Sequence, residues 1–350
     1  MINNKNVSIL IAVFFGLIIM TDFHYKVSVR LGYETFKLTL PTKLLVGTSL
    51  AYCIIKQKLL DKKDLVCLSL FAIVILLGIT IQNQWDLSEY LYIIGQYIFS
   101  IILFLFFFKN HSNLGWGIFD KTLNAILLIN FFCIIIAILF DFQIFRTYQG
   151  IRFGYNGIFK STSTASYFYM FILLYHLMKK DNSKRSRWLL FITIFSSLIV
   201  GSKTLFAFVT IVLLIHLLRY LVQKQNYFSS ISFYILSTIV ILALSSYFII
   251  PLISLNKVLQ QVLIDDGVVS AILSYRDEHV INALSYLIKN YDLSNYFFGG
   301  LSMVNRLTEV AIIDMFLSFG IIGTIIFLTL FFKNLPRINS TILITFFTLI

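Results

Sequence analysis

The sequence predicts an all-α integral membrane protein, a polytopic bundle of about eleven transmembrane helices with one long outer loop that contains an amphipathic helix. Three observations predict it. Of 350 residues, 59% are hydrophobic and only 13% are charged, where a soluble domain carries about 25% charge. Eleven apolar stretches recur along the chain, most of them near the length that a hydrocarbon core of about 30 Å requires. A polar segment, Pro251–Thr308, interrupts the series between the ninth and tenth stretches. The whole of 1–350 is thus expected to form a single polytopic membrane domain, with 251–308 as its large extracytoplasmic loop.

The spans are expected at 7–21, 38–55, 65–82, 88–108, 119–140, 161–178, 188–200, 204–222, 231–250, 309–332 and 338–350. The first could be mistaken for a signal peptide, but Asp22-Phe23-His24-Tyr25 follows it rather than a small-residue cleavage site, so it reads as an uncleaved first helix. The last is cut short at Ile350, as in a fragment or a chain missing a final helix pair.

A net charge of +12 invites a nucleic-acid partner, but its distribution removes the need for one. With the N-terminus in the cytoplasm and the spans alternating, the cytoplasmic segments hold sixteen basic residues against four acidic ones. The outer segments hold eleven basic and twelve acidic residues. That is the positive-inside bias, and Lys179–Arg187 gives its strongest vote. Cys53, Cys67 and Cys133 fall in or beside spans without CxxC spacing, and the five histidines form no zinc pattern. No metal site is expected.

Four outer segments carry polarity. In 22–37, Lys26-Val27-Ser28-Val29-Arg30-Leu31 alternates and then turns near Gly32, which predicts a short interfacial hairpin acting as a connector. The segment 141–160, DFQIFRTYQGIRFGYNGIFK, places Arg146, Arg152 and Lys160 among three glycines on the side where cations are disfavoured. Arginine offers a fixed fork of donors suited to phosphate oxygens, although these side chains could also snorkel to lipid phosphates. Tyr148, Phe153 and Tyr155 offer faces for sugars or headgroups, and Asn156 adds an amide. The tight turn Gly201-Ser202-Lys203-Thr204 sets Lys203 either to serve an anion or to cap the preceding helix.

The fourth segment is the long loop. Ser274-Tyr275-Arg276-Asp277 has capping-box spacing. Val280, Ala283, Leu284, Leu287 and Ile288 then form one apolar stripe on a helix of about fifteen residues. Arg276 opens this helix, where a cation opposes the helix dipole unless an anion comes to it. Phe297-Phe298-Gly299-Gly300 breaks the chain before the tenth span. That span carries Glu309, which can serve as a first-turn carboxylate, and Asp314, an ionisable group below the interface and hence a functional candidate. Five residues apart, about 140° around the helix, the two do not share a face.

Taken in order, these pieces resemble the O-antigen and capsular polysaccharide polymerases of the Wzy type, relatives of the O-antigen ligases. The resemblance covers nearly the whole chain and rests on position more than identity. It is carried by Arg152 through Gly157-Ile158-Phe159, by the hydroxyl-rich start Ser161-Thr162-Ser163-Thr164, and by Gly201-Ser202-Lys203-Thr204, where members often have Gly-Ser-Arg-Thr. Ser274-Tyr275-Arg276 and Glu309, Asp314 and Phe319-Gly320-Ile321-Ile322-Gly323 complete it. Arg146 and Gly157 match the Arg-x10-Gly spacing of some members, whereas Leu287, not Gly, stands eleven residues after Arg276. The histidine that ligases carry before the late helix is absent, which favours polymerase over ligase.

The resemblance implies that the chain polymerises undecaprenyl-diphosphate-linked oligosaccharide repeat units into capsular or O-antigen exopolysaccharide on the outer face of the bacterial cytoplasmic membrane. It implies inverting glycosyl transfer without nucleotide sugar, metal or other cofactor. Membrane lipid, a chain-length regulator and a flippase are the implied partners, and no nucleic acid. Arg146, Arg152, Lys203 and Arg276 would hold the diphosphate as preorganised positive charge. Glu309, then Asp314, would act as general base, with Arg276 catalytic beside them. Tyr148, Tyr155 and Asn156 would contact the glycan. The expected site is shared among three outer segments, with the long loop as one wall. The rival readings are a lipid-linked oligosaccharide flippase, which should show two similar halves and charges at mid-membrane, and a metal-dependent lipid-sugar transferase, which should carry an acidic pair in the first outer loop.

Overall fold

The computed structural model describes residues 4–33, 38–81, 87–109, 116–148, 153–178, 183–223, 261, 264–265, 276–300, 308 and 310–334. They form eleven α-helices and one 3-10 turn (Gln143–Phe145), with no strand among the described residues. The helices are α1 (Asn4–Leu31), α2 (Thr39–Lys56), α3 (Lys62–Ile81), α4 (Leu87–Lys109), α5 (Trp116–Phe140), α6 (Thr162–Met178), α7 (Lys184–Ile199), α8 (Lys203–Gln223), α9 (Arg276–Asn290), α10 (Leu293–Phe298) and α11 (Ala311–Asn334). Four contain stretches long and apolar enough to cross a membrane: Ala12–Leu31, Lys62–Ile81, Gly117–Phe140 and Ile312–Lys333. The expected spans at 231–250 and 338–350 lie outside the described residues.

The chain divides into two compact units. One is built mainly from 43–114 and 259–343, the other from 2–42 and 115–258. In the second unit, α6 packs on α7 and α8, and α5 on α1 and α7. Its core holds Leu123, Leu127, Phe168, Tyr169, Leu173, Leu205 and Phe208, all buried. In the first unit, α11 lies against α3, α4 and α10, with Phe71 and Tyr97 packed around Phe319.

α1 corrects the expected hairpin at 22–37: the helix runs unbroken to Leu31. A lone two-stranded hairpin is marginal by itself, whereas the helix puts Lys26 and Arg30 on one face, four residues apart. Ser28 Oγ donates to the His24 carbonyl at 2.9 Å, the local bond that a helix offers a serine. The helix stops where Gly32 turns to φ 75°, and the Tyr33 amide reaches back to the Ser28 carbonyl at 3.0 Å, a glycine-centred C-terminal cap.

The amphipathic helix expected after Ser274 is α9, fifteen residues from Arg276; the capping residues Ser274 and Tyr275 lie outside the described residues. Ala283 and Leu287 are buried with Leu317 of α11. Leu284 and Ile288, expected on the same stripe, are exposed together with Ile281. The apolar surface of α9 is therefore split, and only its Ala283/Leu287 side packs on protein.

α11 carries the sharpest local feature. Its backbone leaves helical geometry at Gly320, φ 65° and ψ −171°. Gly299, at the end of α10, lies directly against it: a Cβ on either glycine would fall on the other segment's backbone. The break frees carbonyls that an unbroken helix would satisfy internally. The Tyr291 hydroxyl donates to the Leu317 carbonyl at 2.8 Å, and the Gly300 amide donates to the Ser318 carbonyl at 3.0 Å. A broken apolar helix is tolerated where neighbouring protein takes up such groups, and the end of the long loop supplies it here.

Candidate functional site

In the second unit, one end is organised around the segment between α5 and α6. Arg146 and Tyr155 form an antiparallel bridge. The Thr147 amide donates to the Gly154 carbonyl at 2.8 Å and the Asn156 amide to the Phe145 carbonyl at 3.0 Å. The bridge makes a narrow base; residues 149–152, Arg152 among them, lie outside the described residues.

Three helices hold this base. On the α7 side, the Tyr155 amide donates to the Ile199 carbonyl at 2.9 Å and Thr147 Oγ1 to the Val200 carbonyl at 2.9 Å. These are the last carbonyls of α7, so the capping task once open to Lys203 is done by the loop. Gly154 and Gly201 permit the approach, since a Cβ on either would meet backbone of the other segment. From α5, buried Asn130 accepts from the Ile158 amide at 2.7 Å and donates to the Tyr169 hydroxyl at 2.7 Å. From α1, Lys26 Nζ donates to Asn156 Oδ1 and to the Gly157 carbonyl, both at 2.6 Å, and Arg30 Nη2 donates to the Arg146 carbonyl at 3.2 Å.

Positive charge collects at this end. Lys26 is buried, at 4% exposure, and both of its hydrogen-bond acceptors are neutral oxygens. Lys160 sits over the Tyr25 ring, 4.3 Å from its centroid. Arg146 is paired with Asp141, whose Oδ1 lies 3.1 Å from Nε and 2.5 Å from Nη2. Hydrogen bonding to Asp141 raises the Arg146 pKa further and keeps the guanidinium charged. Four cations, Lys26, Arg30, Arg146 and Lys160, thus lie on α1 and this loop, and Arg146 pairs with Asp141.

Of the residues expected to touch glycan, Tyr148 and Tyr155 are half-buried, Tyr155 with its ring edge-on to exposed Phe153 at 5.9 Å. Asn156 requires a correction. It is 1% exposed and its Oδ1 is taken by Lys26, so its amide shapes the loop rather than facing a sugar. Lys203 opens α8, partly exposed, in the turn after the capped end of α7.

In the first unit, Asp314 is buried. Its Oδ1 accepts from the Thr308 amide at 2.9 Å and from Thr308 Oγ1 at 2.8 Å. The Thr308 hydroxyl in turn accepts from the Val310 amide at 3.1 Å. Asp314 therefore fixes the path of the chain into α11, as an acidic side chain in a first turn does. That employment makes it a poorer base than a carboxylate directed at a substrate. Arg276 opens α9 on the face that also carries Ala283 and Leu287, seven and eleven residues on. Glu309, the first-choice base, lies outside the described residues.

The first unit has a second charged cluster. Lys109 Nζ lies 2.6 Å from Asp61 and 2.8 Å from Asp64, and Lys333 Nζ lies 2.7 Å from Asp64 and 3.2 Å from Asp61. Asp64 is wholly buried. The start of α3 and the ends of α4 and α11 therefore meet at one end of this unit. Among the described residues no group of three His, Cys, Asp or Glu side chains is gathered in a way that could hold a metal.

Sequence reasoning missed Lys26, Arg30, Thr147 and Asn130. The i, i+4 spacing of Lys26 and Arg30 was a usable signal, hidden by the competing i, i+2 alternation around it. Compared with protein-family models, with curated proteins and with solved structures, the chain matches none.

Proposed function

We propose that the chain is a multi-pass membrane enzyme that joins diphosphate-linked oligosaccharide units carried on a polyprenyl lipid, a repeat-unit polymerase acting at the outer face of a bacterial cytoplasmic membrane. The observation that carries this reading is the cationic end of the second unit, where Lys26, Arg30, Arg146 and Lys160 gather on one pinned loop with Asp141 as the partner of Arg146. A glycosyl diphosphate gains negative charge on its leaving group as the sugar departs, and fixed cations stabilise that change. Arg152 and Lys203 are assigned to the same anion, and Arg276 is assigned to an anion at the start of α9. Glu309 is assigned as the base that takes the acceptor hydroxyl proton, while Asp314 supports the start of α11.

The topology agrees with this reading. If the Asp61–Asp64–Lys109–Lys333 cluster lies on the cytoplasmic side, α4 and α11 both run inward and α3 runs outward, as alternating spans with the N-terminus inside require.

The test is reconstitution. Purified protein in lipid nanodiscs is given lipid-linked repeat units with and without chelator, and the products are resolved by size. A ladder of lengths is expected in both conditions. Arg152→Ala, Arg276→Ala and Glu309→Gln, matched for membrane abundance, should each lose the long products. Long polymer from all three variants would overturn the assigned site, and translocation of lipid-linked units without chain growth would replace the polymerase with a flippase.

A further inference from the structure

We infer that Lys26 and Arg30 of α1 form a clamp that positions the loop assigned to the diphosphate, one residue on each side of its base. The inference rests on the functional reading above, to which it adds two positioning residues from a segment expected to be a mere connector.

The geometry has three parts. First, the loop has its base at the bridge between Arg146 and Tyr155. Second, Lys26 and Arg30 stand four residues apart on α1, so both project from one face. Arg30 takes the carbonyl of Arg146 on one side of that base. Lys26 takes Gly157 and the Asn156 side chain just past its other side. One helix face therefore grips both sides of the base. Third, Gly157, at φ 59°, sits over Asn130, where a Cβ would collide with that side chain. The carbonyl that Lys26 grips is thus pressed against α5 from the other side and has no slack.

Lys26 is the more demanding half. A buried ammonium is costly unless its donors are used. Two of its three N–H groups are accounted for by the bonds at 2.6 Å, and both acceptors are uncharged.

The experiment separates the clamp from the reaction. Backbone hydrogen exchange is followed in nanodiscs for 145–157 and, as an internal control, for α6, in the wild type, Lys26→Met, Lys26→Gln and Arg30→Met. Glutamine keeps two N–H donors without the charge. Exchange over 145–157 is expected to quicken about tenfold in Lys26→Met and Arg30→Met with α6 unchanged, and to stay near wild type in Lys26→Gln. In the polymerisation assay, KM for the lipid-linked donor is expected to rise about tenfold in both methionine variants. A purely structural role would lower the active fraction and leave KM alone. Wild-type exchange over 145–157 in both methionine variants overturns the clamp. If exchange responds as expected but no form of the protein extends lipid-linked units, the clamp stands and the polymerase reading falls.

Discussion

The two units each tie helix ends together with charge, and they do it in opposite ways. In the first, two carboxylates meet two ammonium groups, Asp61 and Asp64 with Lys109 and Lys333, at 2.6–3.2 Å. The cluster has no net charge. In the second, Lys26 and Arg30 bond to carbonyl and amide oxygens that carry none. The first tie therefore depends on ionised carboxylates, whereas the second depends on oxygens that carry no charge to lose. The comparison teaches that the same residue types fasten helix ends in two ways that acid and mutation can tell apart.

The largest expected effect lies in neither charge cluster but at the glycine crossing that ties the long loop to α11. Gly320→Ala forces a side chain into the backbone of Phe297 and Gly299 at a φ of 65°, which is strained for any residue with a Cβ. A loss of about 4 kcal/mol or more is expected, from the exceptional end of single substitutions. Thermal unfolding in detergent checks it. Alanine accommodated there at wild-type stability would mean that α10 does not pack on the break.

Asp64→Ala comes next. It leaves two ammonium groups sharing only the half-exposed Asp61, and breaking one side of a buried ion cluster costs about 3–5 kcal/mol. Lys109 and Lys333 are 22% and 28% exposed, so solvent relieves part of this and the lower figure is the better expectation. Arg146→Gln provides the contrast. It is expected to leave the unfolding midpoint in place while weakening the binding of inorganic pyrophosphate, read by calorimetry, about tenfold. If Asp64→Ala weakened pyrophosphate binding as much as Arg146→Gln, the division between structural and ligand-facing charge would be lost.

The sequence reading succeeded where a single period governs a segment. α2 through α8 and α11 begin and end within a few residues of the apolar runs, because apolar length sets such helices. The start and length of α9 were legible from its 3.6-residue stripe and from Arg276. What escaped depends on partners distant in sequence. Nothing near Lys26 announces that Asn156 and Gly157 will meet it 130 residues later. The alternation from Lys26 to Leu31 satisfies a strand rule locally, and only contact with the loop decides for the helix. Asn156 stood out in sequence as an amide in an outer segment, but the lysine that takes its oxygen lies 130 residues earlier. Gly320 stood in view as part of Phe-Gly-Ile-Ile-Gly, but its helix break is defined by Gly299, and the two meet only in three dimensions.

The smallest effect expected is a difference in acid sensitivity between the two ties. Hydrogen bonding with Asp64, and then with Lys109 and Lys333, holds the Asp61 carboxyl well below the usual carboxylate range. A depressed folded-state pKa contributes stability that is present above the unfolded value, about 3.9, and is lost as pH falls toward the folded one. Asp61 is half exposed, so the loss is modest. The acceptors of Lys26 and Arg30 are amide and carbonyl oxygens, which do not titrate in this range. Lowering the pH from 6 to about 3 should therefore quicken exchange at the start of α3 and leave the Thr147 and Asn156 amides as protected as before. Asp61→Asn should remove most of the acid response at α3. Equal loss of protection at both ends would mean that a carboxylate also takes part in holding the loop, and Asp141, through its pair with Arg146, would be the residue to change next.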